Sequence, residues 1–527
     1  MIDHCIIIKV LSIYFYIMKI ILYIIFFISI YSLPAYGQKR EKIKYEADEL
    51  KFKRVNKEPV RKLINNVIFI QGETEVRCDS ANFYNKKNLM EAYGNVKIYN
   101  SDSSVITSNI LIYDGNKKIA QLRGNVIYVK DQQEIKTQKL DYYIDEKKGL
   151  YFDGGNLKDE TNNLQSINGI FFGDRNISSF SKKVEFRGKD YIMYSDSMIY
   201  NTETKEATTF GFSEIISDDS VMINSLGGSY NESNLNTSLT SSTIETNEYI
   251  LEADIISYNE SEKVYEANQN VKLKIKDSDY YILGNSGIYD REKELTKIFD
   301  EPLLKKNIEN DTFYLSSDTI LAYGDNKDIT MLKAYNNVKF YRSQFTGRSD
   351  SIKFSLSDSI ITMFNDPVVW NGKNQISSDT INFILNENNI EEMNLIKNAF
   401  IISEDTLKNF NQIKGRLMKA EFDENNNIKS INVKGNGETI YYALDESMEN
   451  MIGLNYIICS DLRLNFKENE ISNIIFYKNP QAKLIPPHEI SKDDQYIESF
   501  RWRESEKPTI QDVVYYLRKK IYLRNDK

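Results

Sequence analysis

One motif recurs along this chain at intervals of about thirty residues, and such recurrence constrains the fold more than length does, because a repeat array grows by adding equivalent units. The motif is a polar or acidic residue followed by alternating positions that end in an aromatic. Its clearest copies are Cys78-Asp79-Ser80-Ala81-Asn82-Phe83, Ser195-Asp196-Ser197-Met198-Ile199-Tyr200, Ala253-Asp254-Ile255-Ile256-Ser257-Tyr258, Ser349-Asp350-Ser351-Ile352-Lys353-Phe354 and Ser378-Asp379-Thr380-Ile381-Asn382-Phe383. Between these lies a second element: Gly94-Asn95-Val96-Lys97-Ile98-Tyr99, Gly124-Asn125-Val126-Ile127-Tyr128, Asn270-Val271-Lys272-Leu273-Lys274, Asn337-Val338-Lys339-Phe340 and Asp366-Pro367-Val368-Val369-Trp370. Gly and Asn tolerate positive φ, so the spacing predicts a turn before each of these strands.

Each repeat is therefore expected to hold two strands and two turns. Period two places Val96 and Ile98, Val271 and Leu273, or Val338 and Phe340 on one apolar face, with Lys97, Lys272 and Lys339 on the opposite, wet face. No single unit can bury its own apolar face, so neighbours must stack. The expected fold class is all-β: an elongated multi-repeat β-jellyroll or β-solenoid trough of roughly 24 to 26 stacked, mostly antiparallel strands at ~4.8 Å spacing, with a short C-terminal helix. A parallel β-helix is the competing arrangement.

Composition closes other routes. The chain has 527 residues, 36 Tyr, 26 Phe and only 8 Pro, a mix that suits pleated surfaces and excludes disorder. A net charge of −9 with both signs interspersed offers no basic stripe for nucleic acid. His4 and His488 are the only histidines, which argues against a histidine metal cluster or a Ser-His-Asp triad in the repeats, and no glycine-rich phosphate loop occurs. No catalytic residue, metal or cofactor is implied. Asp79, Asp196, Asp254, Asp318, Asp350 and Asp379 come singly, once per unit, as a turn or edge needs, whereas carboxylate catalysis needs two at one place. Cys78 and Cys459 are expected to be buried apolar side chains; Cys5 falls in the leader.

Residues 1–37 have the charged, apolar and small-residue zones of a signal peptide, with Met18 as an alternative start; a retained anchor is the rival reading. The repeats fill 38–480, and 481–527 form a cap in which Pro486-Pro487 stops the last strand and Thr509 to Lys520 form a helix begun by Thr509 and Asp512. This tail is expected to fold back over the terminal repeat.

The Gly-Asn-Val starts, the Ser-Asp-Ser-x-x-Tyr strands and the exported N-terminus resemble the OstA-like family, the LptA- and LptD N-terminal-like lipopolysaccharide transport proteins, in the long multi-repeat form found in Bacteroidetes. That resemblance implies a periplasmic trough associated with outer-membrane assembly. Its interior would carry the lipid A acyl chains of lipopolysaccharide, and its partners would be other lipopolysaccharide-export proteins at the inner and outer membranes. The chain lacks the length after 480 for the receptor's membrane barrel. The candidate groove lining is Val96, Ile98, Val126, Tyr128, Val271, Leu273, Val338, Phe340, Val368 and Trp370. A structural or adhesive stalk with a closed core is the alternative, and a β-helix polysaccharide lyase a further one.

Overall fold

The computed structural model describes residues 42–515, apart from 56–57, 190, 218–220, 232–235, 247–248, 260, 277–278, 309–310, 326–327, 388, 446, 448 and 468–469. The leader assigned to 1–37 and helix positions 516–520 lie outside the described residues. Two compact units are distinguished, 1–126 with 141–145, and 127–140 with 146–527.

In the first unit Glu58–Gln71, Thr74–Tyr84, Leu89–Tyr99 and Val105–Asp114 pair antiparallel in chain order. Leu89–Tyr99 is one strand that bends sharply in its middle. Gly94 and Asn95 both take positive φ, 75° and 41°, and the register against Thr74–Tyr84 shifts between Arg77 and Ser80 opposite them. Two left-handed residues make a bulge that carries the strand around a corner. The corner is clasped by Asp79, which accepts a 2.9 Å hydrogen bond from Asn95 Nδ2. Glycine is needed because a Cβ at Gly94 would stand 2.3 Å from Asp79 Oδ2. Met90 and Ala92 before the corner, and Val96 and Ile98 after it, are all fully buried. The Gly-Asn pair is thus a corner inside a strand, not the turn between strands that the sequence suggested. Both roles need the same dihedral angles.

The second unit repeats the device. Lys182-Lys183, Gln269-Asn270, Asn336-Asn337 and Lys397-Asn398 are left-handed pairs, followed by the buried Val184, Val271, Val338 and Ala399. Asn337 donates to Asp318 at 3.2 Å, Asn365 to Asp350 at 3.2 Å and Asn398 to Asp379 at 3.0 Å, with the same bond between Asn270 and Asp254. Asp196 accepts the backbone N–H of Phe212 instead, at 3.3 Å. The recurring aspartates are corner clasps.

Every strand pairing described is antiparallel, and 36 strands are present among the described residues. The number exceeds the expected one because several full-length strands are divided at the corner. In Leu295–Phe299 with Leu303–Ile308, and Ile360–Phe364 with Val368–Asn371, a proline stands directly after the left-handed pair. Pro302 and Pro367 have no N–H to continue the ladder.

The ends of the arms also stack. Gly115 N–H donates to the Asn88 carbonyl at 2.9 Å in the first unit. In the second, Gly173 donates to Lys147, Thr202 to Asn176, Arg291 to Lys263 and Leu385 to Ser359, at 2.8–3.1 Å. Each accepting carbonyl belongs to a turn residue with positive φ. In the second unit the inward faces of the arms on either side of the corner meet in one hydrophobic cluster running from Ile244 to Leu464.

The C-terminal tail does more than cover the last repeat. After Gln481–Ile485, which pairs with Met451–Lys467, it crosses the outer face of the post-corner arms back towards earlier repeats. Gln412 donates to Gln495 O at 2.8 Å and accepts from Ile497 N–H at 2.8 Å. Gln375 repeats the grip on Arg501 O, at 2.7 Å, and Arg503 N–H, at 2.6 Å. Both glutamines are buried, 0% and 1% exposed, so each amide satisfies two strap backbone groups that water cannot reach. Buried Arg503 bonds Asp366 at 2.9 Å and Glu506 at 2.8 Å, and Glu506 also holds Arg348. Ile497, Phe500 and Trp502 pack with Phe400, Ile402 and Ile440 in a separate core. The helix Ile510–Val513 has the expected capping box between Thr509 and Asp512, and rests on Asp328–Tyr341.

Candidate functional site

Eight of the ten residues singled out from the sequence lie as alternation required. Val96, Ile98, Val126 and Tyr128 are buried, Tyr128 against Phe171 at 4.6 Å between ring centroids. Val271, Leu273, Val338 and Phe340 are in the inward-facing cluster. Their lysine neighbours face the other way: Lys97 is exposed and stands beside Arg77 and Thr107, and Lys272 pairs with Glu252 at 3.2 Å.

Val368 and Trp370 are placed differently. The row Phe340, Gly347, Val369 runs across the inward face, so Val369 belongs to the interior. Val368 stands opposite Arg348, and Trp370 opposite Thr346 and Gln375, the glutamine that grips the tail. These two are buried on the outer wall, and Trp370 Nε1 finds no hydrogen-bond partner there among the described residues. The error is one residue of register. Aligning the left-handed pair Asn365-Asp366 with Asn336-Asn337 puts Pro367, not Val368, at the position of Val338.

Between the arms of the second unit lies a cleft of ≈ 980 Å³, open to solvent, whose walls include Leu315, Ile320, Phe340, Phe354, Ile361 and Phe383. A smaller one, ≈ 440 Å³, is framed by tyrosines 191, 230, 258 and 265. The larger cleft holds a feature absent from the sequence reading: two cations on the inward face. Lys306 stands in the row Tyr280, Lys306, Phe313, and the rows beside it are Ile282, Leu304, Leu315. Its Nζ lies 4.6 Å from the Tyr280 ring centroid. Burial holds its ammonium below the usual lysine range; Arg342 pushes the same way and Asp279 opposes. Arg342 follows Phe340 by two and shares its face, bonding Asp311 at 3.2 Å. Burial raises the Asp311 carboxyl, but hydrogen bonds from Ser343 Oγ, Thr312 N–H and Arg342 outweigh it and hold the group below its ordinary value. The adjacent Lys305-Lys306 was the available signal, since alternation forces one of two neighbouring residues inward.

The walls offer hydrocarbon contact. Among the described residues no grouping of His, Cys, Asp and Glu could hold a metal, and Cys78 and Cys459 are free and buried. Also among the described residues, no helix is long and apolar enough to cross a membrane.

Residues 40–196 match the family described as OstA-like protein, and residues 306–389 match that described as LptA/(LptD N-terminal domain) LPS transport protein. Among solved structures, the chain is similar to LptH, the LptA homologous periplasmic component of the conserved lipopolysaccharide transport device from Pseudomonas aeruginosa. Identity is 10%, over 32% of this chain and 82% of that one, with a TM-score of 0.10. No curated protein matches.

Proposed function

We propose, from the premise that this chain belongs to the OstA-like family of lipopolysaccharide-transport proteins, that it is a periplasmic carrier that holds lipopolysaccharide by its acyl chains between the arms of its bent strands. The observation that carries this is the apolar cleft of ≈ 980 Å³, open to solvent, between the inward faces of the arms. Hydrocarbon moved from water onto such walls is stabilised by about 0.8 kcal/mol per CH₂, while the sugars stay in water at the mouth. In this reading 1–37 direct export, 38–480 carry lipid, and 481–527 brace the wall. Of the inward residues assigned to the path, Phe340 stands at the open cleft, and Val96, Ile98, Val126, Tyr128, Val271, Leu273 and Val338 lie in packed stretches where the arms must part to admit lipid, with Val369 replacing Val368 and Trp370. Its partners are other lipopolysaccharide-export proteins at the two membranes, and its action is non-catalytic.

The test is photocrosslinking in cells, with a crosslinking amino acid at Phe340 and, separately, at Lys339. Lipopolysaccharide adducts at 340 and not at 339 are expected. Adducts at neither, in folded exported protein, would instead favour the structural stalk, a reading for which the fully buried Met90, Val96, Ile98 and Leu111 of the first unit speak.

A further inference from the structure

The geometry points to an anion site inside the larger cleft: we infer that Lys306, with Arg342 beside it, receives the phosphate of a phosphorylated acyl lipid whose chains lie along Leu315, Phe340 and Phe354. This deepens the carrier reading and rests on it.

A lysine on an inward face is costly. Its neighbours in the row are aromatic and those in the next row aliphatic, so its ammonium has lost much of its water. The Tyr280 ring compensates in part, as a cation over an aromatic face is attracted to it. No carboxylate among the described residues lies within ion-pair distance of Lys306. Arg342, paired with Asp311, stands in the same cleft close enough to disfavour the Lys306 ammonium. Lys333 is turned to the outer face, opposite Lys353 and over the Tyr323 ring, and Arg342 is paired with Asp311, so the charge that favours an anion is the inward ammonium of Lys306. Lysine and arginine together suit a phosphate, the first as a point charge and the second through its planar fork. A neutral lipid would leave that charge facing hydrocarbon. A soluble anion would leave the apolar walls wet. A lipid bearing both parts satisfies both.

The experiment uses the purified full chain and two probes, monophosphoryl lipid A and the same lipid with its phosphate removed, with affinities measured by equilibrium binding. The unaltered protein is expected to prefer the phosphorylated probe by roughly tenfold to a hundredfold, as one charge-assisted contact provides. Lys306→Met should make the two probes bind alike, Lys306→Arg should keep the preference, and Lys353→Met, the same charge loss at an exposed outward position, should leave it unchanged. Equal binding of both probes by the unaltered protein, or a preference that survives Lys306→Met, overturns the anion site and leaves the carrier intact. Binding of neither probe overturns both. Displacement of the phosphorylated probe by millimolar inorganic phosphate would show an anion site without lipid recognition and overturn the assignment as stated.

Discussion

At Leu89–Tyr99 the chain rounds its corner on Gly94 and Asn95, enters Val96, and keeps its ladder; at Leu295–Ile308 it rounds the same corner on Asp300 and Glu301, meets Pro302, and the strand divides. The dihedral device is common to both. The residue entered after the corner differs, and so do the interiors. Around the first corner Met90, Ala92, Val96 and Ile98 are fully buried; beside the second Ile298 and Leu304 are buried too, and the cleft opens further along the arm, at Lys306 and Ile308. A second proline corner stands at Pro367. A repeat that is uniform in its backbone can thus be closed or open according to the side chains that its arms turn inward.

The comparison breaks most sharply on truncation. Ile98→Ala leaves a void in a closed interior and should cost about 2–5 kcal/mol, while Phe313→Ala, half-buried on a cleft wall, should cost less than the usual ~3–5 kcal/mol of a core phenylalanine. Urea titrations of both variants decide this, and the full core cost at Phe313 would mean that the cleft is not open in solution. Gln412→Ala should cost about 2–3 kcal/mol, because Gln495 O and Ile497 N–H lose their buried partner. It should also expose 490–515 to limited proteolysis while the first unit stays resistant. A smaller change, within about 1 kcal/mol, is expected when Pro302 and Pro367 are both replaced by valine. The sharper readout is lipid retained after purification, which should fall if divided corners hold the arms apart. Least disruptive is a pH series on Cys78, whose thiol burial pushes up to about 12 from 9.0. Its proton is retained in the folded state and lost sooner in the unfolded one. Its contribution is therefore constant below pH 9 and declines between 9 and 12, and the folded thiol should resist alkylation at neutral pH. Ready alkylation without unfolding would show that the closed region opens.

The part of the fold legible in the sequence derives from period two. Alternation told the inward Val271, Leu273, Val338 and Phe340 from the outward Lys272 and Lys339, since one residue in two must face each way. It failed where counting had to start from the right residue: at Asn365-Asp366-Pro367, taking the strand one position late moved Val368 and Trp370 to the wrong wall. The corner escaped because Gly-Asn has the same dihedral preference in a turn and in a bulge, and only the partner strand tells them apart. The clasping aspartates were recognised as structural, but not their asparagine partners, 16 to 19 residues away in the pairs Asp79–Asn95 and Asp379–Asn398. The tail's path could not be foreseen, because Gln375 and Gln412 carry no periodic signal and are defined by the backbone they grip.

The stacked turns have a consequence for how such a gene can change. The carbonyl of Asn88 is met by Gly115, that of Asn176 by Thr202 and that of Ser359 by Leu385, in each of these a left-handed turn residue facing an amide 26 or 27 residues further on. Cutting out or duplicating a segment between two equivalent turns presents the same amide to the same carbonyl, so whole repeats can be gained or lost by recombination without an unmatched joint. A single-codon insertion in a strand has no such refuge: it turns every later side chain of that arm over, until the next corner restores the count.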